Sequence, residues 1–488
     1  MTKSLSDLSR AEIRQQLVEL VGTDQVCLDE DELRAASVDR FKKYMAVNGI
    51  YDGPVPAAIV SATSTADVAR LMRFANEHRV NVVPRTGATA TEGGLETIVE
   101  DTVVLDGSRM NRILQIDATN MMATAQCGVR LAALEDAARS HGLTTGHSPQ
   151  SKPLAQMGGL TATRSIGQLS TLYGGIEDMV VGLEAVFPDG TICRTKNIPR
   201  RAAGPDIRHI VIGNEGALCF ITEVTVKLYR YMPENTEYRG FLVDDMDVGI
   251  SIIREVVTRG FRPAVCRLYS EEDAYQNFPA LGRSRCVLIF ICEGPKAITA
   301  ATAAEIDIVV SRHANQELGP LLIEEWFKNL NWGLDKILAE RETMLNEHWL
   351  GYTTEVSANW SDVGDIYKAV MHRIRTEYPY ASDLTLLGAH SSHSYQTGTN
   401  LYFVYNYQVN CEPREEITKY HIPLNAIIVE ETLEHGGSMV HHHGIGKYRT
   451  EWTEREHGSA YYMVRKLKEA FDPRDVMNKG TIFKVRED

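Results

Sequence analysis

The sequence holds no apolar run approaching the roughly 18 to 20 residues that cross a bilayer, and its opening stretch, MTKSLSDLSRAEIRQQL, lacks the apolar centre of a signal peptide. The expectation is a cytoplasmic protein with no transmembrane segment. Basic residues are in the minority: 51 Lys and Arg against 65 Asp and Glu give a formal net charge of −14, which repels phosphate backbones and argues against nucleic acid as a partner. The eight cysteines (Cys27, Cys127, Cys193, Cys219, Cys266, Cys286, Cys292 and Cys411) include no Cys-x-x-Cys pair and lie mostly in apolar, strand-like context. They read as reduced core thiols, without a disulfide or zinc framework. Internal repeats and low-complexity tracts are also absent. So are a Gly-x-Gly-x-x-Gly leading into a helix and a P-loop Gly-Lys-Ser, which leaves little support for a nicotinamide Rossmann domain or an ATPase.

The 488 residues, 43% of them apolar, can bury a large core and suggest two or three domains. Residues 1–49 read as an N-terminal helical segment. Between 50 and 230 short strands alternate with helices at high glycine density, as in Ser64 to Arg79, where an N-cap serine precedes Val68, Leu71, Met72 and Ala75 at helical spacing. From 231 to 430 strands such as AVCRLYS, RCVLIFICEG and NLYFVYNYQVN alternate with helical stretches, predicting a second sheet that carries helices. Residues 431–488 contain three consecutive histidines and a final helix, and are expected to return to the first domain. The expected fold class is α+β, a ligand-binding domain with an antiparallel-sheet cap.

The loop PRTGATATEGG at 84–94 offers small residues whose backbone amides suit an anion, although alone it is equally a turn. Three further segments follow in order: TGHSPQSKPLAQMGGLTATRSIG (145–167), YGGIEDMVVGLEAVFPDG (173–190) and GPDIRHIVIGNEGALCFITEV (204–224). This arrangement resembles the FAD-binding domain of the vanillyl-alcohol oxidase and p-cresol methylhydroxylase superfamily. Within it, the chain is similar to alkylglycerone-phosphate synthase and to uncharacterised bacterial FAD-linked oxidoreductases, from about residue 50 to Thr481. The resemblance implies an FAD site at Pro84, Arg85, Thr86, Gly87, Ala88, Thr89 and Ala90 for the pyrophosphate. Gln150, Ser151, Gln156, Gly158, Gly159, Thr163, Arg164 and Ser165 would lie along the flavin and phosphates, and Glu215, Gly216, Ala217 and Ile221 along the adenosine side and ribityl chain. Covalently tethering relatives carry a histidine where Thr89 stands here, so FAD is expected to be held non-covalently.

The same resemblance implies catalytic roles for Tyr395 as acid/base, for His441, His442 and His443 beside the flavin, and for Arg267 and Arg341 on a substrate anion. Arg341 is placed by its spacing to WLG rather than by a motif. Read without the resemblance, a tyrosine in an aromatic strand is core and an arginine before Glu-Glu-Asp pairs with those acids. A neighbouring branch, the FAD-dependent 2-hydroxyacid dehydrogenases, includes members that hold a divalent metal at positions where this chain has Gln396, Tyr402 and His442. Adjacent side chains on an extended segment also point to opposite faces. Both features argue against a metal at the triplet, leaving a nitrogen-rich site of His390, His393 and the triplet as the alternative.

The expectation is therefore an FAD-dependent oxidoreductase. It would oxidise a polar, anionic, hydroxyl-bearing small molecule such as a hydroxy acid or sugar acid by hydride transfer, with the electron acceptor unspecified and a homodimeric state. The alternative is a synthase-type transferase that uses FAD without net redox.

Overall fold

The computed structural model describes residues 2–283 and 285–485 and is α+β, as expected. A four-stranded sheet runs in the order Val26–Cys27, Ala58–Ser61, Val103–Asp106, Val82–Arg85, with the last three strands parallel. The N-terminal segment is thus not purely helical, since Val26–Cys27 pairs with Ala58–Ser61. The helix Thr65–His78 covers this sheet. Its Ser64 side chain accepts the Asp67 amide, and Val68, Leu71, Met72 and Ala75 are buried at helical spacing. Ile113–Asp117, Met122–Gln126, Phe220–Lys227, Val180–Val186 and Ile192–Arg194 form a five-stranded antiparallel sheet.

The cap is a seven-stranded antiparallel sheet in the order Asn315–Leu318, Glu237–Val243, Cys286–Cys292, Val265–Tyr269, Leu384–Ser391, Gly398–Gln408, Trp349–Asn359. Its strand Cys286–Cys292 is an unbroken apolar run because both faces are covered. Leu288 and Phe290 join the core beneath the helices Met246–Thr258, Lys296–Val310 and Val363–Glu377, while Val287, Ile289 and Ile291 pack against Leu169, Tyr173 and Met179 of the cofactor domain.

Two features of this architecture position the site. Cross-strand register places Tyr269 opposite His390, His390 opposite Tyr402, and Tyr402 opposite Glu355, so four polar side chains form one row across the cap sheet. The C-terminal segment then ties cap to cofactor domain. Ser438 exchanges two backbone hydrogen bonds with Ser357 of the cap, and further on Val82 of the cofactor domain donates to Val476 O at 2.8 Å while its own carbonyl accepts the Asn478 amide at 2.8 Å.

Candidate active site

A cavity of about 510 Å3 lies between the cofactor loops and the cap sheet, within the roughly 300–1,000 Å3 range of small-molecule and cofactor sites. On one side the strand Val82–Arg85 ends in the loop 86–94. The amides of Gly87, Ala88, Thr89, Ala90 and Thr91 donate to no atom of the described residues, leaving five consecutive donors on the cavity lining. The loop is pinned from behind. Thr86 Oγ1 accepts the Gly159 amide at 3.1 Å, and a Cβ on residue 87 would stand 2.9 Å from both the Gln156 nitrogen and the Leu154 carbonyl. Ala88 (φ 50°), Arg164 (φ 53°) and Glu215 (φ 49°) are left-handed non-glycine residues, one on each of three cofactor segments, the kind of local strain that collects at ligand sites. A row of unpaired amides on a tightly held loop fits an anionic dinucleotide. None of Pro84 to Ala90 is a histidine or cysteine able to tether it.

The opposite wall is built by the cap. Arg267 is 3% exposed; its terminal nitrogen donates to Gln168 Oε1 at 2.9 Å, while its Nε–H has no partner among the described residues. His390 Nδ1 lies 2.6 Å from Asp273, and its ring stacks on Tyr402 with centroids 4.7 Å apart. Tyr402 Oη accepts from Thr353 at 3.2 Å and contacts His443 Nε2 at 3.0 Å, while His443 Nδ1 contacts Glu92 at 3.1 Å. Burial pushes the Tyr402 phenol up to about 12 and, together with the nearby Arg267 charge, pushes His390 down to about 4. Burial likewise carries His393 and His442 well below the ordinary imidazole range and His441 to about 4. His443 differs: burial opposes its charge, but the carboxylates of Glu355 and Glu92 outweigh it and raise its basicity.

These groups are fixed by Arg449, which is completely buried. It reaches Glu355 at 2.8 Å and Glu92 at 3.2 Å and donates to the Met439 carbonyl at 3.0 Å. Against the cost of burial, Arg449 and the neighbouring histidines hold Glu355 far below the usual carboxylate range, so that it stays ionised and accepts the amides of His442 and His443 at 2.8 and 2.6 Å. The tail also grips Glu215, whose carboxylate accepts the Ile445 and Gly446 amides, both at 2.8 Å. Gly446 (φ 56°) leaves no room for a side chain, since a Cβ there would sit 2.0 Å from the Glu92 carbonyl.

Most residues singled out in the sequence line this cavity. They comprise Pro84 to Ala90, Gln150, Ser151, Gln156, Gly158, Gly159, Thr163, Ser165, Glu215, Gly216, Ile221, Arg267, His442 and His443. Five do not. Arg164 turns outward to Glu177, and Ala217 lies behind the wall in a cluster with Val429, Met439 and Ile445. Arg341 is exposed on the helix Leu334–Glu347, where its neighbour Glu340 lines the cavity instead, joined to Arg40 and Lys43. Tyr395 and His441 form a second layer, with Tyr395 Oη 2.6 Å from His441 Nε2. Three tyrosines, Tyr269, Tyr352 and Tyr402, line the cavity, and the one that contacts a triplet histidine is Tyr402, singled out in the sequence only as the counterpart of a metal ligand. Register could have found it, because the same strand alternation that buries Leu401 and Phe403 aligns Tyr402 with His390 and Glu355.

An amide-lined loop thus faces buried imidazoles, phenols and Arg267 across one cavity, a lining that suits an anionic cofactor on one side and a polar small molecule on the other. A family model described as FAD binding domain matches residues 56–196, and one described as FAD linked oxidases, C-terminal domain, matches residues 232–482. The chain is 59% identical over 482 residues to the uncharacterized FAD-linked oxidoreductase YgcU of Escherichia coli (strain K12), covering 98% of this chain and all of that one. It is 28% identical to alkyldihydroxyacetonephosphate synthase of Dictyostelium discoideum, covering 87% of this chain and 72% of the relative. A solved structure of an alkyldihydroxyacetonephosphate synthase shares the fold, with a TM-score of 0.79 and 24% identity over 97% of this chain and 85% of that one. The chain belongs to the FAD-linked oxidase family: it is an FAD-dependent oxidoreductase.

Two substitutions test the geometry. Gly87→Val drives a side chain into Gln156 and Leu154 and is expected to yield folded, colourless protein, whereas retention of the flavin absorbance at wild-type stoichiometry would contradict the assigned loop. Arg449→Met leaves two buried carboxylates without their cation and is expected to cost about 3–5 kcal/mol in denaturant unfolding, more than an exposed ion pair of 0–1 kcal/mol.

Proposed function

We propose that the chain oxidises a hydroxyl-bearing, anionic small molecule, a hydroxy acid or sugar acid, bound between Arg267 and the row of His390 and Tyr402. The observation that carries this reading is the Arg267 guanidinium, buried on the cavity wall with its Nε–H unpartnered among the described residues and a terminal nitrogen donating to Gln168. A buried donor of this kind needs an acceptor, and a carboxylate matches the fork of a guanidinium. FAD, when bound, supplies acceptance of the hydride leaving the carbinol carbon.

The protein's own part is the proton. Tyr402 Oη stands where a substrate hydroxyl beside Arg267 would reach it. As it receives the hydroxyl proton, its own proton passes 3.0 Å to His443 Nε2, and the imidazolium formed is held by Glu92 and Glu355. His390, fixed by Asp273 and kept uncharged by burial, is a hydrogen-bonding group for the same oxygen. Tyr395 acts one layer back, through His441. The Arg40, Lys43 and Glu340 group at the cavity wall gives a polar end to a longer substrate. The division into a cofactor domain over 50–230, a cap over 231–430 and a returning segment over 431–488 belongs to the same proposal, as do non-covalent FAD and a homodimer.

The second reading, a transferase that uses FAD without net redox, draws on the likeness to the synthase. Anaerobic mixing of the yellow protein with hydroxy acids, sugar acids and polyols separates the two. Bleaching of the flavin band is expected with an anionic alcohol, and no bleaching across the panel together with ether formation from acyl-dihydroxyacetone phosphate would leave only the transferase. With a reducing substrate in hand, Tyr402→Phe should lower the bleaching rate about 100- to 10,000-fold while FAD remains bound. Arg267→Leu should lower kcat/KM about 10- to 100-fold, the worth of a charged hydrogen bond, and wild-type kinetics in either variant would remove its assigned role.

A further inference from the structure

The three histidines are not extended. Residues 441–443 form a bend ahead of Gly444 (φ 86°) and Gly446 (φ 56°), so the strand alternation that would send neighbouring imidazoles to opposite faces does not apply. His441 and His442 instead turn together towards His393 on the cap. The three ring centroids make a nearly equilateral triangle, with sides of 5.0 Å (His441 to His442), 5.2 Å (His393 to His441) and 5.3 Å (His393 to His442). One nitrogen of each ring lies within 4.8 Å of the other two.

We propose that His393, His441 and His442 form a three-imidazole site for a divalent transition metal of the zinc, cobalt or nickel kind, with its open position turned to the cavity. The outer nitrogens are already engaged. His393 Nδ1 meets Ser170 Oγ at 2.8 Å and His441 Nε2 meets Tyr395 Oη at 2.6 Å, which fixes each ring and directs its other nitrogen inward, the second layer that ligating histidines require. Inside, His441 Nδ1 and His442 Nδ1 stand 2.8 Å apart, a separation at which the two share one proton or one cation. Metal–nitrogen bonds of about 2.1 Å at tetrahedral angles set ligand nitrogens roughly 3.4 Å apart, within reach of small side-chain rotations here. Three nitrogens without a carboxylate or thiolate select a borderline transition ion and disfavour calcium or magnesium. Glu355, 3.9 Å from His442 Nδ1, supplies compensating negative charge without being one of the three ligands. Because His393 and His442 line the cavity, the fourth position takes a water or an oxygen of a bound molecule. This ligand set differs from the positions of Gln396 and Tyr402, and it assigns Tyr395 the task of orienting His441. The inference stands on the imidazole geometry and does not depend on which substrate is oxidised.

The test uses the FAD-bound chain, expressed without a histidine tag, freed of metal by dialysis and titrated separately with Zn2+ and Co2+. Elemental analysis after desalting is expected to return about one equivalent per chain. The Co2+ form is expected to add the visible bands of a four-coordinate nitrogen site in a difference spectrum over the flavin. His393→Ala and His442→Ala should each abolish stoichiometric retention, and Ser170→Ala should weaken it about 10- to 100-fold by freeing the His393 ring. Failure to retain either ion, or retention unchanged in His393→Ala, would overturn the site. Should the alanine variants not fold, unchanged affinity in Ser170→Ala overturns it equally. Flavin bleaching plays no part in these measurements, so their outcome is separate from that of the oxidation reading.

Discussion

The active site depends on one buried cation. Arg449 belongs to the returning C-terminal segment, Glu92 to the cofactor loop and Glu355 to an outer strand of the cap, and their charged groups meet where water does not reach. Removing three charges from water is costly, and only mutual pairing with well-placed hydrogen bonds offsets it. The requirement therefore acts as a geometric lock. The loop, the cap and the tail must be in register together, because any one misplaced leaves an uncompensated charge in the interior. His443 takes its position, its partner Glu92 and its raised basicity from this cluster, and Tyr402 takes its contact from His443.

Around the lock, the two walls of the cavity are made differently. The cofactor side uses backbone: unpaired amides, small residues and left-handed turns, which let main chain approach an anionic dinucleotide that a net-negative protein would otherwise repel. The cap side uses side chains carried on strands, whose period of two aims Tyr269, His390, Tyr402 and Glu355 in one row. Strands hold such groups more rigidly than loops, which suits the proton transfer proposed for Tyr402 and His443.

Local signals carried much of this. The Ser64 cap, the apolar spacing of Thr65–His78 and the continuous run Cys286–Cys292 each express a physical rule within one short window, and the structure follows them. The ordered glycine segments likewise lie along one wall of the cavity. What stayed illegible depends on partners far away in the chain. Arg341 and Glu340 are adjacent, and only the rotation of their helix decides which one meets the cavity. Tyr395 and Tyr402 both stand in aromatic surroundings, and pairing with Glu355 and His390 on other strands is what puts Tyr402 on the cavity wall. The histidine triplet bends where its sequence suggests an extended run, because its glycine turns depend on the Glu92 carbonyl and the Glu215 carboxylate, which lie more than 200 residues upstream.

The grip of Glu215 and Glu92 on residues 443–447 also means that the cavity is closed by contacts between distant parts of the chain. A chain released from the ribosome up to the end of the cap would already hold the cofactor loops and the cap sheet, yet it would lack the segment that neutralises Glu355 and completes the parallel-sheet edge through Val476 and Asn478. Domains fold in the sequence in which they emerge. Here residues 438–478 supply the contacts that join the two walls of the cavity, so each wall can form before the segment that holds them together.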